Sequence, residues 1–373
     1  MGNISATTLL KYIDTYNENL GKYEQRTPKV GSLDAFRKDT LMIGGGSGII
    51  SQSERDGIAM NGYSPNGMAI PVIDNQGITI STSGSTTCEA LTETGDTALV
   101  DVTYSTLSFD LKIAVGDYEN NYVGLDSALA RALKARKDAV LLALNGLCLA
   151  RLEADKNIVI APNTLGYWAD GGGSFQVAAA DQDDYFNNLR MAMAKMNYEG
   201  PWRYIGNPEA YAQIVNKQFA QGTGNAVNTN YQFTGDPIVD LQNTNVLGAD
   251  FDFNLDNQLV NGVGVNNTGF AIPTGSLAII SSVDKGIYPM SGSLVRGNAG
   301  EYSTTTLPGL EGFEFGLRLD TNCVDGARTQ ISGGPSAGPV DNWQFESRFA
   351  IVTPYNSDTA TQEGAINKFE VIP

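Results

Sequence analysis

Apolar and polar residues alternate over residues 107–115, and the spacing becomes helical soon afterwards. The alternating apolar residues are Leu107, Phe109, Leu111, Ile113 and Val115. This period of two predicts a strand with one buried face. Over residues 125–154 the apolar positions instead follow helical spacing, at Leu125, Leu129, Leu133, Val140, Leu144 and Leu147. A helix of this span would be roughly 45 Å long, about three times the usual length.

Cations accompany the apolar stripe of this predicted helix. Arg131, Lys134, Arg136 and Lys137 are expected on the side opposite the stripe. A rod with one apolar and one charged side is typical of a scaffold rather than of a ligand pocket.

The chain before this strand predicts an arm and a hairpin. Residues 7–20 have the pattern of a short amphipathic helix, and the remainder up to residue 50 is predicted to be extended, with a glycine joint at 44–48. Residues 56–90 are predicted to form a long hairpin. Its β-rich runs, 68–73 and 78–82, are separated by a credible turn.

The second half mixes helices and strands. Residues 182–197 predict an amphipathic helix, with Asp181 and Asp184 suited to its N-terminus. A short strand at 202–205 is followed by Asn207 as an N-cap and Pro208 as the first helical residue. Further strands are predicted at 271–281, 313–319 and 343–351.

Composition excludes several functions. The chain has 373 residues, a net charge of −17 and no histidine. The charge opposes binding to phosphate backbones, and the lack of histidine removes the commonest general base and metal ligand. Three widely spaced cysteines favour a reducing compartment, with Cys148 predicted to be buried and inert. No secretory leader and no membrane-spanning run is evident.

Carboxylates offer weak candidates for acid–base chemistry. Glu89, Glu93 and Asp96 cluster in a polar loop, and Glu311 and Glu314 flank Phe313. Solvated surface carboxylates are the better interpretation, because neither group has an apolar setting that would shift a pKa. The sequence therefore predicts neither an enzyme nor a cofactor or metal site.

Three segments carry a resemblance to a known family. The first is the strand at 107–115 followed by the helical span 125–146. The second is 204–214, and the third is the closing strand 343–351, which bears Arg348. In order and spacing over nearly the whole chain, the sequence resembles tailed-phage major capsid proteins with the Hong Kong phage-type shell fold.

The resemblance implies an α+β fold with four parts. These are an N-terminal arm (1–50), an extended β-hairpin loop over an adjacent subunit (51–97), a peripheral domain (98–200 and 311–373) with a spine helix at 125–154, and an axial domain (201–310). It also implies the positions expected to serve assembly: Ile70, Val72, Ile78, Ile80, Arg131, Lys134 and Arg348.

The implied function is structural. Pentamers and hexamers of the chain would form an icosahedral shell around a phage double-stranded DNA genome, without sequence-specific DNA binding and without a membrane. Scaffold, portal and decoration proteins are the implied further partners. The location would be the virion capsid, after synthesis and assembly in the host cytoplasm. Two alternatives stay open: an encapsulin-like nanocompartment shell, which shares the fold, and an acidic β-rich binding or adhesion module.

Overall fold

The chain is an α+β protein. A computed structural model describes residues 27–42, 49–62, 68–73, 97–113, 122–157, 166–196, 198, 200–213, 251–288, 295–297, 300–307, 310–325, 329–330, 334–335, 338–354 and 364–373. Its longer helices are α1 (Gly31–Met42), α2 (Gln52–Asn61), α3 (Tyr122–Ala154) and α4 (Tyr185–Lys195). Its strands are β1 (Ala69–Ile73), β2 (Thr97–Asp101), β3 (Tyr104–Ile113), β4 (Ala169–Asp170), β5 (Phe175–Ala178), β6 (Trp202–Gly206), β7 (Phe251–Leu255), β8 (Asn267–Pro273), β9 (Ala278–Ser282), β10 (Val295–Gly297), β11 (Gly300–Thr305), β12 (Phe315–Asp325), β13 (Thr329–Gln330), β14 (Gly334–Pro335), β15 (Gly338–Val352) and β16 (Asn367–Ile372).

Two six-stranded sheets organise the molecule. In the first sheet the order is β10-β11-β12-β15-β3, and β9 also pairs with β15. In the second sheet the order is β4-β5-β16-β8-β6-β7. The first is antiparallel, whereas the second contains the parallel pairs β5–β16 and β6–β7. Two shorter antiparallel pairs, β1–β2 and β13–β14, complete the described strands.

The first sheet packs its apolar face together with α3 in one core. Leu317, Phe345 and Phe109 lie side by side on β12, β15 and β3, and the rings of Phe109 and Phe345 stack with centroids 4.6 Å apart. Leu129 and Leu144 of α3 belong to the same cluster. The predicted strand at 107–115 and the long helix are therefore confirmed over the described residues, with the helix beginning three residues earlier, at Tyr122.

Helix α1 contradicts the predicted extended arm. Leu33, Ala35 and Phe36 have no exposed surface and lie in the core that also holds α3. The two N-terminal amides of Ser32 and Leu33 are satisfied by side chains more than a hundred residues away. The local sequence gave no signal for this helix start because its partners are distant.

Helix α2 occupies part of the predicted hairpin. Ser51 accepts a hydrogen bond from the amide of Glu54, and the Glu54 carboxylate accepts from the amide of Ser51, which is a complete capping box. Residues 56–61 are therefore helical rather than extended. The strand predicted at 68–73 is confirmed as β1, and it pairs with β2. Its predicted partner at 78–82 lies outside the described residues, as do 7–20 and 44–48.

The strand predicted at 271–281 is two strands in two different sheets. β8 ends at Pro273 in the second sheet, and β9 begins at Ala278 in the first. Gly275 lies between them with φ at 85°, a conformation that favours glycine. The stretch from Pro273 to Ser276, with proline, glycine and serine, is typical of a turn, and it was the sequence signal for the break.

The two sheets do not coincide with the predicted domain boundaries. β5 and β16, placed by sequence in the peripheral domain, pair in the sheet that contains β6. β9 and β11, placed in the axial domain, pair in the sheet that contains β15. The chain crosses between the sheets several times, and strand pairing over such sequence distances leaves no compositional boundary.

The second sheet and α4 share an aromatic core. The rings of Phe175 and Phe369 stack with centroids 4.8 Å apart, and Tyr185 hydrogen-bonds Tyr204. Asn207 caps the helix at 208–213 by accepting from the amide of Ala210 at 2.9 Å, as predicted. Asp184 occupies the N-cap position of α4, as predicted, but its side chain makes no capping hydrogen bond.

Candidate assembly surface

The β1–β2 pair forms a ribbon that is not joined to either large sheet by strand pairing in the described part of the chain. Ile70 lies opposite Val100, and Ile73 lies opposite Thr97. Ile70 is buried in a small cluster with Ile58 of α2 and Ile280 of β9. The base of the ribbon is therefore fixed to the body of its own chain.

Three side chains hold α2, which immediately precedes the ribbon. Tyr104 donates to the carbonyl of Ile58 at 2.9 Å, Ser282 to that of Ala59 at 2.6 Å, and Arg348 to that of Gly62 at 2.7 Å. Carbonyls in the last turn of a helix lack intrahelical partners, and a cation at this end also complements the helix dipole. We name these three residues the anchor triad.

The anchor triad fits closely against α2 because residue 62 is glycine and because the phenol of Tyr104 is protonated. A Cβ at Gly62 would lie 2.2 Å from Ser282 Oγ, so a larger residue would push α2 off the sheet. Burial raises the pKa of Tyr104 above its ordinary value, so its phenol remains a donor over the physiological range. The triad members come from β3, β9 and β15, and together they fix the direction in which the ribbon leaves the body.

The predicted assembly residues fall into three groups. Ile70 and Arg348 make contacts within their own protomer, and their role in assembly stays a prediction. Ile78 and Ile80 lie outside the described residues, as does the side chain of Val72. The last two, Arg131 and Lys134, lie on the surface of α3. Their role in assembly stays a prediction.

The basic stretch of α3 is more varied than its sequence indicated. Arg131 is exposed, Lys134 Nζ lies 2.6 Å from Asp138 Oδ2, and Arg136 donates to the carbonyl of Asp110 on β3 at 3.0 Å. Lys137, predicted on the polar side, is buried instead, because it lies one turn after Leu133 in the core stripe. Desolvation lowers the pKa of Lys137 from its ordinary value.

Sequence reasoning missed a buried polar hub at the middle of α3. The Asn145 amide donates to both Asp256 oxygens, at 3.0 and 2.9 Å, and its oxygen accepts from the amide of Leu33 at 2.9 Å. Asp256 also accepts from the amide of Ser32 at 2.9 Å. A carboxylate at a helix N-terminus complements the helix dipole, so the hub joins α1, α3 and the loop after β7. The one signal for this hub in the sequence was Asn145, a lone Asn in an apolar part of the helix.

Two of the candidate carboxylates for catalysis, Glu311 and Glu314, are engaged with cations, whereas Glu89, Glu93 and Asp96 lie outside the described residues. Glu311 lies 3.5 Å from Arg37, and Glu314 pairs with Lys285. Both line a cleft of about 260 Å³ beside α1 and α2.

Among the described residues, no cluster of acidic, cysteine or histidine side chains could hold a metal ion. None of the described helices has the length and apolar character to cross a bilayer. Cys148 is buried as predicted, which raises the pKa of its thiol.

Comparison with known proteins found similarity in three-dimensional structure only. No family model and no curated protein matches the chain. Among solved structures, the chain is similar to one of Mycobacterium phage Che8 (12% identity, 83% of this chain and 86% of that chain, TM-score 0.39). It is also similar to the capsid of an empty GTA particle (12% identity, 82% and 85%, TM-score 0.43) and to the capsid of Ralstonia phage GP4 (9% identity, 82% and 84%, TM-score 0.42).

At such low identity and TM-score, the likeness is too distant to assign a function, which is therefore inferred from the chain's own geometry.

Proposed function

We propose that the chain is a structural shell protein of the tailed-phage capsid class, assembling into pentamers and hexamers around double-stranded DNA. The β1–β2 ribbon is the observation that carries the proposal. A two-stranded ribbon is marginally stable alone in water, and in the described structure its outer edges pair with no other strand. An open edge is a template for strand addition by another copy.

The charge of the chain supports an assembly built from many contacts. A net charge of −17 opposes association. A ribbon laid across a neighbour adds backbone pairing at each subunit, and many such contacts act together in a closed shell. The same charge favours packaging of DNA without affinity for it. This role requires no catalytic activity of the chain.

The two sheets supply the two bodies of such a subunit. We assign the sheet containing β15, together with α3, to the peripheral domain. The sheet containing β6 and β16 is assigned to the axial domain around the five- and six-fold centres. Both assignments follow the observed strand pairing rather than the domain boundaries predicted from the sequence. Scaffold, portal and decoration proteins are the further partners of the proposed shell, and the virion capsid is its location.

Shortening of the ribbon tests this function. Ile73 and Thr97 lie opposite each other, so residues 74–96 can be replaced by Asn-Gly, which closes a two-residue hairpin. Light scattering and negative-stain images should show closed shells or rings for the parent chain. The shortened chain should keep the parent's melting temperature and remain unassembled. Met191→Ser, at an exposed site on α4, is the control and should assemble normally.

Two results would contradict the proposal. A parent chain that stays a 39.7 kDa monomer under crowding and with co-expressed phage proteins has no shell function. Normal shells from the shortened chain would remove the ribbon as the reason for assembly. Protein cargo in place of DNA inside native shells would favour the nanocompartment alternative.

A further inference from the structure

A strip of small and apolar residues runs along the exposed side of α3. On the helix it is formed by Ala139, Ala143, Gly146, Leu147, Ala150 and Ala154. At Leu147, Ala150 and Ala154 it borders a space of about 240 Å³, which Thr103, Ser105, Arg151 and Ile351 also line. We call this surface the outer groove.

The composition of α3 indicates that the outer groove is covered by something. No charged residue occurs from 139 to 150, although Ala139, Leu142, Ala143 and Ala150 are exposed. A helix that is apolar on all sides is normally buried on all sides. The core stripe of α3 is accounted for by the first sheet and α1, so the second apolar side lacks a described partner.

Gly146 points to the same conclusion. Glycine in a helix interior costs up to about 1 kcal/mol relative to alanine. A Cβ at Gly146 would meet no atom within 4 Å, so nothing packed against it inside the protomer requires glycine. A close approach by an element outside the described residues would account for the glycine.

Residues 7–20 match the outer groove in spacing and size. Large side chains occur at Leu9, Ile13, Tyr16 and Leu20, which is the spacing i, i+4, i+7 and i+11. Small residues repeat at the same spacing in the groove, at Ala139, Ala143, Gly146 and Ala150. Large side chains facing small ones are what allow two helices to interdigitate closely.

The chain also reaches the groove. Val30 forms a bridge with Asp256, whose carboxylate accepts from the Asn145 side chain, so the chain lies beside the middle of α3 four residues after the linker 21–26. Residues 21–26 can span up to about 20 Å when extended. The outer diameter of a helix is roughly 10–12 Å. This linker is therefore long enough to lead from the core side of α3 to its outer side.

We propose that residues 7–20 form a helix that docks in the outer groove of the same chain, with Ile13 and Tyr16 over Ala143 and Gly146. This docking concerns the single chain and does not depend on shell assembly. It gives the N-terminal segment a folded place on its own subunit rather than on a neighbour.

Protease protection tests the docking in the unassembled full-length chain. Gly146→Leu fills the groove, and its side chain has open space in the protomer, so the variant should melt no lower than the parent. Ala143→Glu places a charge in the groove, and Ala135→Glu, exposed one turn beyond it, is the matched control. Trypsin should cut after Lys11 about tenfold faster in both groove variants, because cleavage follows the undocked fraction. The control should cut at the parent rate.

Equal cleavage rates in the parent and both groove variants would overturn the proposal. So would cleavage of the parent as fast as that of an isolated peptide of residues 1–26.

Cross-linking then identifies the occupant of the outer groove. Ile13→Cys with Ala143→Cys, in a chain carrying Cys88→Ser and Cys323→Ser, should form a disulfide within one chain. Ile13→Cys with Met191→Cys should not, and a disulfide-linked dimer of the first pair would show that a second copy supplies the segment.

Discussion

At the scale of residues, buried polar groups determine how the helices meet. Asn145 and Asp256 have no exposed surface, yet both are hydrogen-bonded within the hub. Removing one partner from such a group leaves the others without hydrogen bonds in a dry site, which costs more than the bond itself contributed. The single Asn in α3 thus fixes both the position of α1 and the start of its first turn.

Asn145→Ala should lower the free energy of unfolding by about 2–3 kcal/mol, because the Asp256 carboxylate and the Leu33 amide lose their partner. Urea denaturation measures the change. Asn188→Ala is the control, since the exposed Asn188 amide donates to the carbonyl of Asp184 on the surface of α4. It should cost no more than about 0.5 kcal/mol. Equal losses for the two variants would show that the hub does not determine stability.

Sequence predicts residue roles where the neighbours in sequence decide them. Cys148 sits among leucines, and Asn207 precedes a proline, so an inert thiol and an N-cap followed directly. The roles of Asn145 and Lys137 depend on what faces them from α1 and the core. No local pattern contains that information.

At the scale of elements, the anchor triad determines the direction of the ribbon. Helix α2 is short, and of its described residues only Ile58 is classed as buried, so its position depends on hydrogen bonds at its C-terminal end. Arg348 was predicted from sequence to serve assembly. Its bond to Gly62 contributes to the placement of α2 within the protomer, and its role in assembly stays a prediction.

Arg348→Met should lower stability by about 1–2 kcal/mol, because the carbonyl of Gly62 loses a charged donor. Amide exchange in β1 and β2 should accelerate more than in β12. Arg131→Met is the matched control: Arg131 is exposed on α3, so the substitution should leave stability within about 0.5 kcal/mol. Faster exchange in β12 than in the ribbon would contradict the anchoring role.

Long periodic elements were predictable, and elements defined by distant contacts were not. The strand at 107–115 and α3 are each described by many consecutive residues of one period. Helix α1 was missed because its caps come from α3 and the loop after β7. The break at Gly275 was missed because the turn residues 273–276 between the two apolar runs were not weighed.

At the scale of the whole molecule, α1 joins the two sheets. Asp39 has no exposed surface, and Arg203 of β6 donates to it from the second sheet. Asp39 also accepts from the amide of Leu277, just before β9 of the first sheet. Burial raises the pKa of Asp39, and the guanidinium of Arg203 opposes this shift.

Arg203→Met should destabilise the chain by about 3–5 kcal/mol at pH 7, because it leaves the Asp39 carboxylate buried without its cation. A raised folded-state pKa means that the folded chain takes up this proton more readily than the unfolded chain, so stability is regained as pH falls. The difference from the parent should shrink by at least about 1 kcal/mol between pH 7 and pH 5. Urea denaturation at both pH values measures it.

The double variant Asp39→Asn with Arg203→Met controls for other titrating groups. Its stability difference from the parent should vary less over the same pH range than that of Arg203→Met, because Asp39 is no longer present to be protonated. A constant difference for the single variant would mean that Asp39 does not carry the effect.

The position of β16 has a consequence for how the chain is made. This strand is the last of the described strands in chain order, yet it lies in the middle of the second sheet, between β5 and β8. While the ribosome is still synthesising the chain, these two strands have no partner between them. The second sheet therefore closes after all its other strands have emerged. Chains interrupted before residue 367 would lack a completed second body, so any association that needs this body follows the synthesis of β16.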